Sequence, residues 1–206
     1  MIEKQNVIDF FDRCAPSWDA EMIRDDEIIG RILDNARITA GKRVLDVACG
    51  TGVLIGDYLK RDVRSVTGID ISPEMTERAR AKFPDSRAEF FCCDAEEFTS
   101  DGKFDAIMIY NAFPHFPDPE RLFSHLVPYL AEGGTLSVAH GMSREKIDAH
   151  HHGAAREVSV GLMDAEELKE LMGKYLTVIE TISDERMYQV VGECIMHSPK
   201  CIMHNA

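Results

Sequence analysis

The chain has 206 residues, 45% of them apolar and 29% charged. That is the composition of a globular protein of one domain with a sizeable core, which excludes disorder as the main state. Its 23 basic and 36 acidic residues give a net charge of −13; such a surface repels phosphate backbones, and no Lys/Arg cluster offsets it, so nucleic acid is not an expected partner.

In chain order, helices are predicted over Ile2–Cys14 and Met22–Ala36. Short apolar runs then alternate with helical patterns. Arg43–Ala48 reads as a strand, followed by a glycine turn and a helix over Val53–Arg61. Ser65–Ile69 is a second strand. Ser72 and Pro73 open the next helix, since Ser is a favoured N-cap and Pro suits the first helical position; it runs to about Phe83. Ala88–Cys92 and Phe104–Tyr110 are the third and fourth strands. The fourth is apolar almost throughout, as in a strand covered on both faces. Leu122, Phe123, Leu126, Val127 and Leu130 fall at helical spacing within Pro119–Leu130. Gly133 and Gly134 predict a turn before a fifth strand, Thr135–His140. Asp164 and Glu167 form a capping-box pattern for a helix over Ala165–Gly173. Tyr175–Ile182 and Tyr188–Met196 read as a strand hairpin across Ser183–Glu185.

This alternation predicts an α/β fold. The expected form is a Rossmann-like three-layer sandwich around a mostly parallel seven-stranded sheet, with an antiparallel strand from the C-terminal hairpin. No linker divides it, so residues 1–206 are read as one domain. Residues 1–40 and an insert at 141–160 are expected to cover the open end of the sheet. No run of 18 apolar residues is present to span a membrane. The first 14 residues contain acids and no apolar core, so a secretory leader is not expected there. The cysteines (14, 49, 92, 93, 194 and 201) are therefore read as reduced thiols in the cytosol, with Cys49 and Cys92 inside apolar runs.

The most informative stretch is Val44–Leu54, where the first strand ends in Ala48-Cys49-Gly50-Thr51-Gly52 and a helix follows at once. In an open α/β sheet, ligands bind beyond the carboxyl ends of the strands. Gly50 and Gly52 can adopt dihedrals closed to other residues, and the helix start offers unpaired N–H groups. The pattern is not G-x-G-x-x-G, because Ile55 holds the third position. It suits a smaller anion, such as an amino-acid carboxylate; a bare tight turn is the other reading. The second strand ends in Asp70, where a carboxylate can accept both hydroxyls of a ribose. The third ends in Cys93-Asp94-Ala95. Three neighbouring strand ends thus fit a nucleoside-bearing ligand.

At these residues the sequence resembles the class I S-adenosylmethionine-dependent methyltransferases. VLDVACGTG (44–52) resembles their first motif, with Asp46 as its leading acid. GIDIS (68–72) resembles the second, and CCDAEEF (92–98) the adenine-contacting segment. FDAIMIYNAFPHF (104–116) and EGGTLSVAH (132–140) resemble the fourth- and fifth-strand motifs. FFDRCAPSWDAE (10–21) is similar to the opening segment of the ubiquinone/menaquinone-biosynthesis-like methyltransferases, which helps close the cofactor site and whose members act mostly on small molecules. The resemblance implies S-adenosylmethionine as cofactor and a small-molecule acceptor. It implies cofactor contacts from Asp46, Ala48, Cys49, Gly50, Gly52, Asp70, Ile71, Asp94, Ala95 and Asn111. Asn111-Ala112-Phe113-Pro114 departs from the Asn/Asp-Pro-Pro-aromatic motif of many amino-methylating members, which disfavours nucleobase or protein amide nitrogen.

An oxygen or nitrogen acceptor can need a base, and histidine titrates in a suitable range. By position, His115 and His140 are the candidates, with His150, His151 and His152 behind them. Each has a plainer reading: His115 as packing, His140 as a strand end, the triplet as a solvated helix face. Trp18 and Tyr110 can stack on adenine or acceptor, or Trp18 can anchor the N-terminal segment. Cys194, His197, Cys201 and His204 form a zinc-type set at an unusual spacing, so no metal ligand is assigned. A metal- or metalloid-handling protein and a non-catalytic cofactor-binding module stand as rival functions.

Overall fold

The computed structural model describes residues 2–150 and 157–195. Seven strands form one sheet: β1 (Arg43–Val47), β2 (Ser65–Asp70), β3 (Ala88–Cys92), β4 (Phe104–Tyr110), β5 (Leu130–His140), β6 (Thr177–Ser183) and β7 (Tyr188–Glu193). Their order is β3-β2-β1-β4-β5-β7-β6. β1 to β5 are mutually parallel, and β7 inserts antiparallel between β5 and β6. This is the expected mostly parallel sheet closed by a hairpin. The first three strand ends are neighbours, as the reading of their turns requires.

Alternation along the strands builds the layers. Leu45, Val47, Ile107 and Ile109 share one buried cluster with Leu122, Phe123, Leu168 and Met172. Val44, Ala106 and Met108 share the other with Ile28, Ile29, Ile32 and Leu33. The helices are α1 (Lys4–Cys14), α2 (Trp18–Glu21), α3 (Asp26–Asn35), α4 (Ile55–Lys60), α5 (Pro73–Lys82), α6 (Pro119–Leu126), α7 (Arg144–His150) and α8 (Ala165–Met172). Ser72 caps α5 by accepting from the Met75 N–H, with Pro73 in the first turn. The capping box of Asp164 and Glu167 is present at α8.

Several boundaries differ from expectation for local reasons. α3 starts at Asp26 because the Asp25 carboxylate caps the Glu27 and Ile28 N–H groups. The short helix α2 had no sequence signal. α6 stops at Leu126, since Pro128 has no N–H to continue the ladder. The Gly133–Gly134 pair is not a turn. It lies inside β5, which starts at Leu130, and hydrogen-bonds with Cys194 beside a register irregularity. Glycine there fits the close backbone approach of such an irregularity. Cys92 is exposed rather than buried, because β3 is the sheet's edge.

Gly52 ends the first turn at φ +84°, and a Cβ there would stand 2.8 Å from the Phe83 ring. Gly52→Ala is expected to destabilise the fold by about 2–4 kcal/mol, combining left-handed strain with overpacking. Urea unfolding checks this; a change below about 0.5 kcal/mol, the scale of an ordinary surface substitution, would contradict it.

Candidate functional site

A cavity of about 540 Å³ opens at the carboxyl ends of β1 to β4. Its floor is the turns that follow those strands. Its roof is α1 and α2 with the residue after them, through Val7, Phe11, Trp18 and Met22. Asp46, Ala48, Cys49, Gly50, Asp70, Ile71, Asp94, Ala95 and Asn111 all line it. Gly52 does not; its part is to close the turn.

The turn after β1 is built from left-handed residues: Ala48 at φ +55°, Gly50 at +56° and Gly52 at +84°. Asn111, after β4, sits at +53°. For Ala48 and Asn111 this conformation costs about 1–2 kcal/mol each, held in place by the surrounding structure. Asn111 is anchored twice, by its N–H on the Ala139 carbonyl and by its Oδ1 accepting from the Gly141 N–H at 3.0 Å.

Asp70 ties the floor together. Its Oδ2 accepts from the Gly50 N–H at 2.8 Å and its Oδ1 from the Ser72 N–H at 2.9 Å. The Cys93 N–H bonds the Asp70 carbonyl, which brings in the third turn. A carboxylate has about four acceptor positions, so both oxygens retain lone pairs for a ligand's hydroxyls. Asp94 uses Oδ1 to accept from the Glu96 N–H, and Lys4 pairs with its Oδ2.

The N-terminal segment touches each of the first three turns. Asp19 accepts from the Thr51 hydroxyl and from Lys82; Asp12 accepts from the Ser72 hydroxyl; Lys4 meets Asp94. The sequence carries no local signal for Lys4, Asp12 or Asp19. Their partners lie 32 to 90 positions away, so only the apolar i, i+4 pair Val7 and Phe11 hinted at a buried face.

Burial sets the charges. Asp46 is 3% exposed, with the Tyr58 hydroxyl beside it; burial and the nearby Asp70 push its pKa up to about 8. Burial pushes Asp70 up to about 6, opposed by its backbone N–H donors. Between the ordinary carboxylate value near 3.8 and these values, the folded chain holds protons that the unfolded chain has released. Stability from these groups is therefore full below about pH 4 and is lost as pH rises toward 8. Asp46→Asn is expected to flatten the fall in stability between pH 5 and 8, by up to about 1.4 kcal/mol per pH unit. Urea midpoints across pH for both proteins check this, and identical slopes would refute it.

His115 lines the cavity from a 3₁₀ turn, Phe113–His115. Its Nδ1 lies 2.8 Å from the Val158 carbonyl. A carbonyl only accepts, so Nδ1 carries the proton and Nε2 is the acceptor nitrogen of the neutral ring. His115 also stands edge-on to Phe11, and Phe11 to Trp18. His140 is not among the cavity's lining residues. It is 2% exposed at the end of β5, edge-on to Tyr188. Tyr110 lines the cavity, and burial pushes its phenol up to about 12. Burial raises the Cys49 thiol well above its ordinary value and the Cys93 thiol to about 11, so neither is a thiolate at neutral pH. Among the described residues, no group of three or more His, Cys, Asp or Glu is placed to hold a metal ion. The His151–His152 pair and the residues beyond 195, including His197, Cys201 and His204, lie outside the described residues, as does the side chain of His150. Among the described residues, no helix is long and apolar enough to cross a membrane.

Comparison with known proteins agrees with this arrangement. Residues 44–134 match a family described as a methyltransferase domain. A malonyl-[acyl-carrier protein] O-methyltransferase of Acetivibrio thermocellus is 36% identical over 141 residues, covering 66% of this chain and 50% of that protein. A ubiquinone biosynthesis O-methyltransferase of Coxiella burnetii is 29% identical over 143 residues, covering 66% and 61%. The chain spans about half the length of the first of these relatives. The N-methyltransferase NodS of Bradyrhizobium japonicum, solved with S-adenosyl-L-homocysteine, shares the fold at a TM-score of 0.70 and 19% identity, covering 92% of this chain and 98% of that one. Across residues 44–134 the chain is thus similar to methyltransferase domains, and its fold is that of a methyltransferase solved with S-adenosyl-L-homocysteine.

Proposed function

We propose that this protein transfers a methyl group from S-adenosylmethionine to a small-molecule acceptor, in the cytosol. The observation that carries this reading is Asp70, held by two backbone N–H groups at the floor of the cavity, between the glycine turn of β1 and the Asp94 turn of β3. The residues fit the cofactor. Gly50 allows close approach at the β1 turn, Asp70 offers acceptors to the ribose, and Asp94 with Ala95 stands where the adenine edge is expected. The cavity is within the ordinary range for such sites, about 300–1,000 Å³.

When bound, S-adenosylmethionine supplies a methyl carbon on a positively charged sulfur, so the acceptor's lone pair forms the new bond as the C–S bond breaks and sulfur keeps the electron pair. The chain's contribution is alignment, worth about 7–11 kcal/mol of barrier in well-oriented systems. His115 Nε2 takes the acceptor's proton, and the Val158 carbonyl fixes the tautomer that makes this possible. α1 and α2 exclude water as a lid. His140 receives no chemical role in this scheme, since its ring packs on Tyr188 away from the cavity lining.

Calorimetry with S-adenosylmethionine and with NAD tests the cofactor; preference for NAD would overturn the proposal. Release of S-adenosylhomocysteine on adding a metabolite extract tests turnover. Tight binding that never yields product would favour the non-catalytic binding module.

A further inference from the structure

We infer that the acceptor is uncharged or cationic with a flat apolar body, and that carboxylate and phosphate acceptors are disfavoured. This rests on the methyl-transfer reading above. Among the described residues, the cations lining the cavity are Lys4 and Arg121. Each is already committed to acids: Lys4 to Asp94 and Glu97, Arg121 to Glu96 at 3.0 Å. Three further lining acids, Asp46, Asp70 and Asp118, have no ion pair among the described residues. Asp118 spends Oδ1 on the Arg121 N–H at the start of α6, and Asp70 holds its two backbone N–H groups. Beyond the carboxylate that the backbone N–H groups of the glycine turn suit, a second anion entering this space would shed its hydration shell, meet like charge and find no uncommitted cationic side chain among the described residues.

The apolar wall favours the opposite kind of ligand. Phe11 meets Trp18 edge-on with ring centroids 5.8 Å apart at 71°, and meets His115 at 4.9 Å and 86°. Such rings offer faces and edges to a flat body, and a ring face attracts a cationic nitrogen. The net charge of −13 acts in the same direction at long range, enriching cations and depleting anions near the mouth.

Three probes with one ring system and different charge provide the test: indole, tryptamine and indole-3-acetate, titrated into the full chain saturated with S-adenosylhomocysteine. Indole or tryptamine is expected to bind at least about tenfold more tightly than indole-3-acetate. Equal or tighter binding of the anion, or no binding by any probe, would overturn the inference. A second measurement separates this from failure of the methyl-transfer reading. A metabolite extract is divided by ion exchange at pH 7 before reaction, and each fraction receives methyl-labelled S-adenosylmethionine and enzyme. Label mainly in the neutral and cationic fractions supports the inference. Label mainly in the anionic fraction overturns it and leaves methyl transfer standing. No label in any fraction overturns methyl transfer, and the inference with it.

Discussion

Asp70→Asn is expected to weaken S-adenosylmethionine binding by about 100-fold while the chain remains folded. The carboxylate offers two charged acceptor oxygens, and a hydrogen bond to a charged group is worth about 1.5–3 kcal/mol. The amide keeps one acceptor and turns an N–H₂ group toward a backbone N–H that Asp70 now satisfies. One charged acceptor and one turn contact are lost together. The fold survives because the substitution also removes a buried charge whose ionisation burial already opposes. Calorimetry gives the affinity and urea unfolding the stability. An affinity within about threefold of the wild type in a folded protein would remove Asp70 from the site.

His115→Ala is expected to lower turnover by about 10²–10³-fold, the range of a positioned general base, with S-adenosylmethionine affinity nearly unchanged. Truncation also removes the edge contact with Phe11 and the bond to Val158. His115→Phe separates these effects, since it retains a ring beside Phe11 but has no nitrogen to take a proton. Both variants should be slow if the imidazole moves the proton. Recovery by His115→Phe would reduce the residue to a packing element. The readout is S-adenosylhomocysteine release with the neutral and cationic extract fractions.

Much of the floor was legible in the sequence because its signals are local. The glycines of Gly50-Thr51-Gly52, the acid closing β2 and the Ser72-Pro73 helix start each sit within a few residues of the backbone they shape. A parallel sheet with helical crossovers then places consecutive strand ends side by side. The roof was not legible in the same way. Lys4 reaches Asp94, Asp12 reaches Ser72 and Asp19 reaches Thr51 across long stretches of chain. Exposed-looking polar residues in a helix pattern do not name such partners.

The histidines show the same division. His115 and His140 both follow apolar strand patterns, and position alone made them equal candidates. Tertiary packing separated them: one ring reached the cavity, with its tautomer set by a carbonyl 43 positions on, and the other packed against a neighbouring strand's tyrosine. The edge position of β3 likewise exposed Cys92, whose apolar surroundings in sequence suggested burial.

The sequence by itself determined the sheet-and-helix alternation, the left-handed turn after β1 and the acids at the strand ends, because dihedral preference, capping and apolar period act over a few residues. Only the tertiary structure decided which side chains roof the cavity, which histidine enters it and which charges are already paired, because those depend on contacts between segments that the chain order keeps far apart.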